Sequence, residues 1–248
     1  LTEEQADRLH LYAGYGGTRD DAGVKELHGQ HVHAVDIGGQ PFRVDVGAGK
    51  AVLYRSRRDE RGVRLREVSD GTEFQMIRVP GPPPGVAEVG VIWQPPDAWL
   101  IYSPVGVVKT NHPGTLAAMY EETGAFWGTQ AGSLYFSGKL GSPYTDNGDG
   151  RAEKAYLSLI RAAVRYAVGS IRFGLEKQKA DLVMGYAPYP DATSHMMDAY
   201  FRQAMKGKDS GAARRMAQTQ ASVYQMLDEA FGEVLEMAKE HGAALAVV

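Results

Sequence analysis

Asp181-Leu182-Val183-Met184-Gly185-Tyr186-Ala187-Pro188-Tyr189-Pro190-Asp191-Ala192-Thr193-Ser194-His195 is the stretch on which the reading of this chain turns. Its first half is apolar and short, so 180–187 is expected as a buried strand. A proline-punctuated loop follows, and then a carboxylate and an imidazole four positions apart. In open α/β sheets ligands bind outside the carboxyl ends of strands, where this loop would lie. Within a helical turn a spacing of four brings Asp191 and His195 to one side, so the two can share a cation. Oxygen-plus-nitrogen ligation suits zinc, or alternatively manganese or iron. A plainer use of the same residues is Asp191 as a helix N-cap and His195 as a polar residue of the first turn.

Helix signals flank this stretch. Before it, Ala155, Leu159, Ala163, Ala167 and Ile171 fall on one helical face, widened by Tyr156, Ile160, Val164 and Val168. Lys177-Gln178-Lys179 then closes that helix with positive charge. After it, helices are expected over about 195–206 and 210–241. The second carries Ala213, Met216, Val223, Leu227, Phe231, Val234 and Ala238, with Gly242 as its stop. A last apolar run, 243–248, reads as a strand, and a shorter helix is expected over 115–126. Helix alternating with apolar strand argues for an α/β fold, a parallel sheet covered by helices.

The first part of the chain has a different texture. Runs at 31–37, 41–46, 51–55, 63–68, 73–79, 86–93 and 99–102 are strand-like and are separated by Gly, Asp, Ser and Pro clusters. Arg43-Val44-Asp45-Val46 alternates polar and apolar, the period of a half-exposed antiparallel strand. Residues 1–110 therefore read as a β-rich insertion or subdomain, and 111–248 as the partial α/β core that carries the Asp191–His195 loop.

The 248 residues carry a net charge of −3 and are 44% hydrophobic, with no cysteine. A chain of this length buries a sizeable core. The mixed charge gives no broad attraction to duplex nucleic acid or anionic lipid. Disulfides and thiolate ligands are excluded, and no apolar run reaches the roughly 20 residues of a membrane span. Leu1 opens straight into Thr2-Glu3-Glu4-Gln5, a helix start with a capping-box pattern, and 243–248 stops without a polar tail. Both ends read as cuts, which leads to the expectation of an interior fragment.

The pattern Tyr186-x-x-x-Pro190-Asp191-x-x-x-His195 after the expected apolar strand resembles the central signature of the type I phosphodiesterase/nucleotide pyrophosphatase family, within the alkaline phosphatase superfamily. The resemblance covers about 180–195. It implies an alkaline-phosphatase-like core, here partial, and a metal-dependent phosphoester hydrolase acting on a small phosphoester or nucleotide. It further implies a two-zinc centre with Asp191 and His195 on one ion, and Tyr186 flanking the substrate's base or leaving group. Manganese or iron could replace the zinc. Phosphomonoesterases, sulfatases and phosphomutases share the superfamily, and secretion or a periplasmic location is the family habit.

Two departures matter. The family's upstream Asp and Thr or Ser nucleophile have no equivalent, since Thr110-Asn111-His112-Pro113 holds some of the residue types in the wrong order. Its Ser-Asp-His-Gly ligand motif would come directly after 243–248. The nucleophile is thus expected outside this chain, which alone would turn over little or not at all.

Other candidates rank lower. His31 and His33 share a strand face without a matching carboxylate cluster and read as solvated residues. Asp146-Asn147-Gly148-Asp149-Gly150 lacks the terminal Glu of a calcium loop and reads as a turn feeding a helix. Gly14-Tyr15-Gly16-Gly17-Thr18 has neither a P-loop lysine nor Rossmann spacing. Trp93, Trp99 and Trp127 could line a binding face, the core of a rival reading as a non-catalytic ligand-binding module. Core packing is the default for tryptophans flanked by apolar runs.

Overall fold

Gly38 and Gly39 both have positive φ, at 62° and 71°, and this two-residue turn sets the register of β3 (Val32–Ile37) against β4 (Gln40–Gly47). Positive φ at both central residues is what a tight hairpin needs, and glycine supplies it without steric cost. β5 (Lys50–Tyr54) and β6 (Val63–Leu65) continue the meander, giving a four-stranded antiparallel sheet in the order β3-β4-β5-β6. Alternation decides its faces: Phe42, Val44 and Val46 are buried and the residues between them are not.

The computed structural model describes residues 17–18, 20–55, 61–68, 73–81, 85–94, 96–107, 113–207 and 210–247. The expected helix start at Thr2–Gln5, the glycines at 14 and 16, Thr110-Asn111-His112 and Val248 lie outside them.

A second, six-stranded sheet holds β1 (Gly17–Thr18), β2 (Gly23–Leu27), β7 (Gln75–Val79), β8 (Gly85–Gln94), β9 (Asp97–Tyr102) and β10 (Gly106–Val107). Its order is β1-β10-β8-β9-β2, with β7 also on β8. Every ladder is antiparallel. The two sheets share one core, in which Val35, Ile37, Val44 and Leu53 meet Val89, Val91, Ala98 and Leu100.

The opposite face of the larger sheet carries the helices. Ile101 and the buried Val68 and Phe74 beside it join Trp127 and the helical residues Ala155, Leu159 and Val223 in a second core. The helices are α1 (Pro113–Thr123), α2 (Gln130–Phe136), α3 (Arg151–Glu176), α4 (Asp191–Met205) and α5 (Gly211–Glu240); Ala155 and Leu159 lie on α3 and Val223 on α5, while Trp127 precedes α2. At the junction Glu88 of β8 is 2% exposed. It accepts a 2.6 Å bond from Trp127 Nε1 and a close ion pair from Arg165 of α3. No described helix is long and apolar enough to cross a membrane.

The expectation of an α/β fold with a parallel sheet covered by helices, a partial alkaline-phosphatase-like core, is wrong. Among the described residues the one parallel pairing is an isolated bridge between Glu67 and Val91. Strands fill the first part of the chain and helices the second, so the order is antiparallel sheets first and helices after them. Residues 180–187 form no strand and are mostly exposed, with Leu182 at 76% and Met184 at 84%. The stretch lies along α3 instead. A Cβ at Gly174 would be 2.9 Å from Val183, and one at Gly185 would be 2.7 Å from Ile171. Val183 is the lone β-branched residue in this run, and glycine and alanine occupy alternate positions with little to pack on a pleated surface. The second expected strand fails as well: after Gly242, at φ 61°, residues 243–247 are exposed and in neither sheet.

Candidate functional site

The first turn of α4 carries the pair singled out by the sequence. Pro190 occupies the N-cap position and Asp191 is the first helical residue, so Asp191 does not cap the helix. Its negative charge still lies in the first turn, where the helix dipole favours it. At 100° per residue, Thr193 points about 200° away from both Asp191 and His195. Thr193 and Met197 are fully buried, and burying that face turns Asp191 and His195 outward. Their side chains are 79% and 80% exposed, and Asp191 Oδ1 lies 3.4 Å from His195 Nε2.

The turn is anchored from below. The Tyr189 hydroxyl donates to the Gly128 carbonyl at 2.9 Å, and Tyr189 itself is buried. Thr193 Oγ1 is 2.8 Å from the hydroxyl of Tyr156 on α3. Ser194 Oγ is 3.0 Å from the hydroxyl of Tyr224 on α5, with the Gln220 amide donating from 3.4 Å. Tyr186 lies on the extended stretch before the turn, 65% exposed.

Spacing therefore brought Asp191 and His195 together as expected, on the first turn of a helix. Among the described residues no set of three or more His, Asp or Glu side chains is placed to hold a metal ion. The pair offers two donor atoms and an open solvent side, half of a tetrahedral site.

The lower-ranked candidates resolve individually. His31 is exposed and His33 partly buried. Burial, then the neighbouring His31, His28 and Lys25, push the His33 pKa below the ordinary imidazole value. His28 lies between Glu26 at 3.3 Å and Asp97 at 3.4 Å. The stretch Asp146–Gly150 is the turn that feeds α3: Asp149 accepts from the Arg151 backbone N–H at 3.1 Å and pairs with its guanidinium at 2.7 Å. Trp127 is fully buried, Trp93 packs at the edge of the core between the sheets, and Trp99 lies against Gly141. The three tryptophans do not form one exposed face.

Two buried carboxylates escaped the sequence reading. Burial pushes the Glu88 pKa up, opposed by Arg165, the Trp127 N–H and the Ala125 backbone N–H. Glu153 of α3 accepts from the Tyr135 hydroxyl at 2.5 Å and from the Tyr144 backbone N–H at 2.8 Å. The signal for Glu88 was a lone charge inside the apolar run Val86-Ala87-Glu88-Val89. For Glu153 it was a position bordering the apolar stripe of α3. Both residues serve the core rather than an open site.

Compared with protein-family models, curated proteins and solved structures, the chain matches none of them.

Proposed function

We propose that this chain is part of a metal-dependent phosphoester hydrolase of the phosphodiesterase/nucleotide pyrophosphatase kind, with Asp191 and His195 as two ligands of a divalent cation. The observation that carries this reading is the 3.4 Å separation of Asp191 Oδ1 and His195 Nε2 on an exposed helical turn. Zinc bonds of about 2.0–2.1 Å at a tetrahedral angle set two such donors about 3.4 Å apart. The residue types agree too, and the Tyr186-x-x-x-Pro190-Asp191-x-x-x-His195 pattern adds the resemblance.

A cation held there supplies Lewis acidity toward a phosphoryl oxygen. Asp191 offsets part of its charge, and His195 donates the Nε2 lone pair in its neutral form. Tyr186 offers an aromatic face to the substrate's base or leaving group. On this reading the remaining ligands and a Thr or Ser nucleophile come from outside this chain, which alone is expected to turn over little or nothing.

A second reading, a non-catalytic ligand-binding module, is favoured by the lack of a third ligand among the described residues. The Asp191–His195 pair is then an ordinary i,i+4 surface contact. Calorimetric titration of zinc into the chain, Asp191→Ala and His195→Ala separates the two. The hydrolase reading expects each variant to bind about tenfold or more weakly than the unaltered chain. Identical isotherms for all three would sink it.

A further inference from the structure

The turn that bears Asp191 and His195 has no side-chain hydrogen bond at its N-cap. The Ala192 N–H is met by the Pro188 carbonyl at 3.1 Å and the Ser194 N–H by the Pro190 carbonyl at 2.8 Å, yet helix ends are where structure opens first. Unwinding of the first turn would release Asp191 from the helix while His195 stayed on it, and so part the two donors. Something other than a cap has to keep this turn wound.

Polar tethers from the loop at Gly128, from α3 and from α5 do so, and Ser194 also takes the Gln220 amide of α5 at 3.4 Å. Tyr189, two residues ahead, is tied to the Gly128 carbonyl. Thr193 Oγ1 meets the Tyr156 hydroxyl at 2.8 Å, and Tyr156 is fully buried in the second turn of α3. Ser194 Oγ meets the Tyr224 hydroxyl of α5 at 3.0 Å. Thr193 and Ser194 are the residues immediately before His195, and together they reach both long helices.

We propose that Tyr156 and Tyr224 are positioning residues for the Asp191–His195 pair, clamping the first turn of α4 from α3 and α5 through Thr193 and Ser194. As a device for cation binding this rests on the hydrolase reading, but the clamp itself can be read without a cation. Tyr156 acts from the buried side, where its hydroxyl and that of Thr193 satisfy each other. Tyr224 acts from the rim, 49% exposed, and fixes the rotation of the turn about the helix axis.

The test compares the unaltered chain, His195→Ala, Tyr156→Phe, the double variant Tyr156→Phe/Thr193→Val, and Tyr224→Phe. Each is titrated with cobalt(II), whose visible absorption reports coordination. Amide hydrogen exchange is followed across residues 191–196, and thermal unfolding is measured alongside. Tyr156→Phe alone strands the Thr193 hydroxyl and lowers stability. The double variant removes both hydroxyls and regains stability. Positioning expects it nonetheless to bind cobalt about tenfold more weakly than the unaltered chain. It also expects faster exchange in the double variant and in Tyr224→Phe, confined to 191–196.

A double variant with unaltered affinity and exchange overturns the clamp, while His195-dependent cobalt binding in the same series leaves the hydrolase reading standing. The reverse result is equally clear. Cobalt binding indifferent to His195→Ala, together with faster local exchange, keeps the clamp and removes the cation reading.

Discussion

Replacing Glu88 by glutamine tests how the sheets and helices are joined. Glu88 uses both carboxylate oxygens, Oε2 for Trp127 Nε1 and Oε1 for Arg165. Glutamine keeps the volume but offers one acceptor, so an NH₂ group is set against one of two N–H donors. Trp127 is fully buried, and its N–H cannot turn to water. An unpaired buried donor costs about 1–3 kcal/mol. The weakened attraction to Arg165 adds roughly 0.5–1 kcal/mol, since that guanidinium is partly exposed and retains solvent. Against this, burial already disfavours the charged carboxylate, and the neutral amide recovers part of that cost. The balance is about 2 kcal/mol, which for a chain of this size lowers Tm by about 4–8 °C. Thermal unfolding at pH 7 measures it, with Arg165→Met and the double variant completing a cycle for the coupling. A Glu88→Gln melt within about 1 °C of the unaltered chain, or two strictly additive single effects, would refute the junction as drawn.

His33 links stability to acidity. Its folded pKa lies below the ordinary value of 6.5 because burial and positive neighbours disfavour the imidazolium. Its contribution is therefore present in full above about pH 6.5 and lost as the pH falls through the folded value. In His33→Gln the urea midpoint should fall less steeply between about pH 7 and 5; an unchanged slope counts against the assignment. Gly90→Ala probes the same face of β8, two residues beyond Glu88: the new Cβ would be 2.2 Å from Val68 Cγ2 and 3.1 Å from Phe74 Cδ1. Overpacking of this kind costs about 1–3 kcal/mol, read by urea unfolding, and a neutral result would mean that Val68 is freely displaced.

Periodicity carried much of the secondary structure. Phe42, Val44 and Val46 alternate in the sequence as they do in the sheet, and Ala155, Leu159 and Ile160 mark the buried face of α3. What periodicity does not contain is the partner of each element. The run 180–187 lies along one flank of α3 with most of its residues exposed, and the pattern of a short apolar run does not separate that from a buried strand. β2 was missed because Gly23-Val24-Lys25-Glu26-Leu27 has two charges side by side and buries little beyond its two ends. At the site, the spacing from Asp191 to His195 was enough to place the two side chains together, since a helix fixes i,i+4 geometry locally. The tethers from Tyr156 and Tyr224 were not legible, because they depend on how three helices cross rather than on any one of them.

The place of β2 also bears on how the chain reaches this structure. β2 pairs with β9, from Gly23 against Tyr102 to Leu27 against Ala98, and the whole smaller sheet lies between them in sequence. The neighbouring bond from Gly29 to Asp97 closes a loop of 68 residues. Closing such a loop costs about 2.5–3 kcal/mol more in chain entropy than a tight hairpin. The β3–β4 and β8–β9 hairpins, whose strands meet across two-residue turns, can form long before that cost is met. β2 is then among the last strands to arrive, its contacts largely absent from the folding transition state. Damage there shortens the lifetime of the native state and leaves the speed of folding nearly untouched.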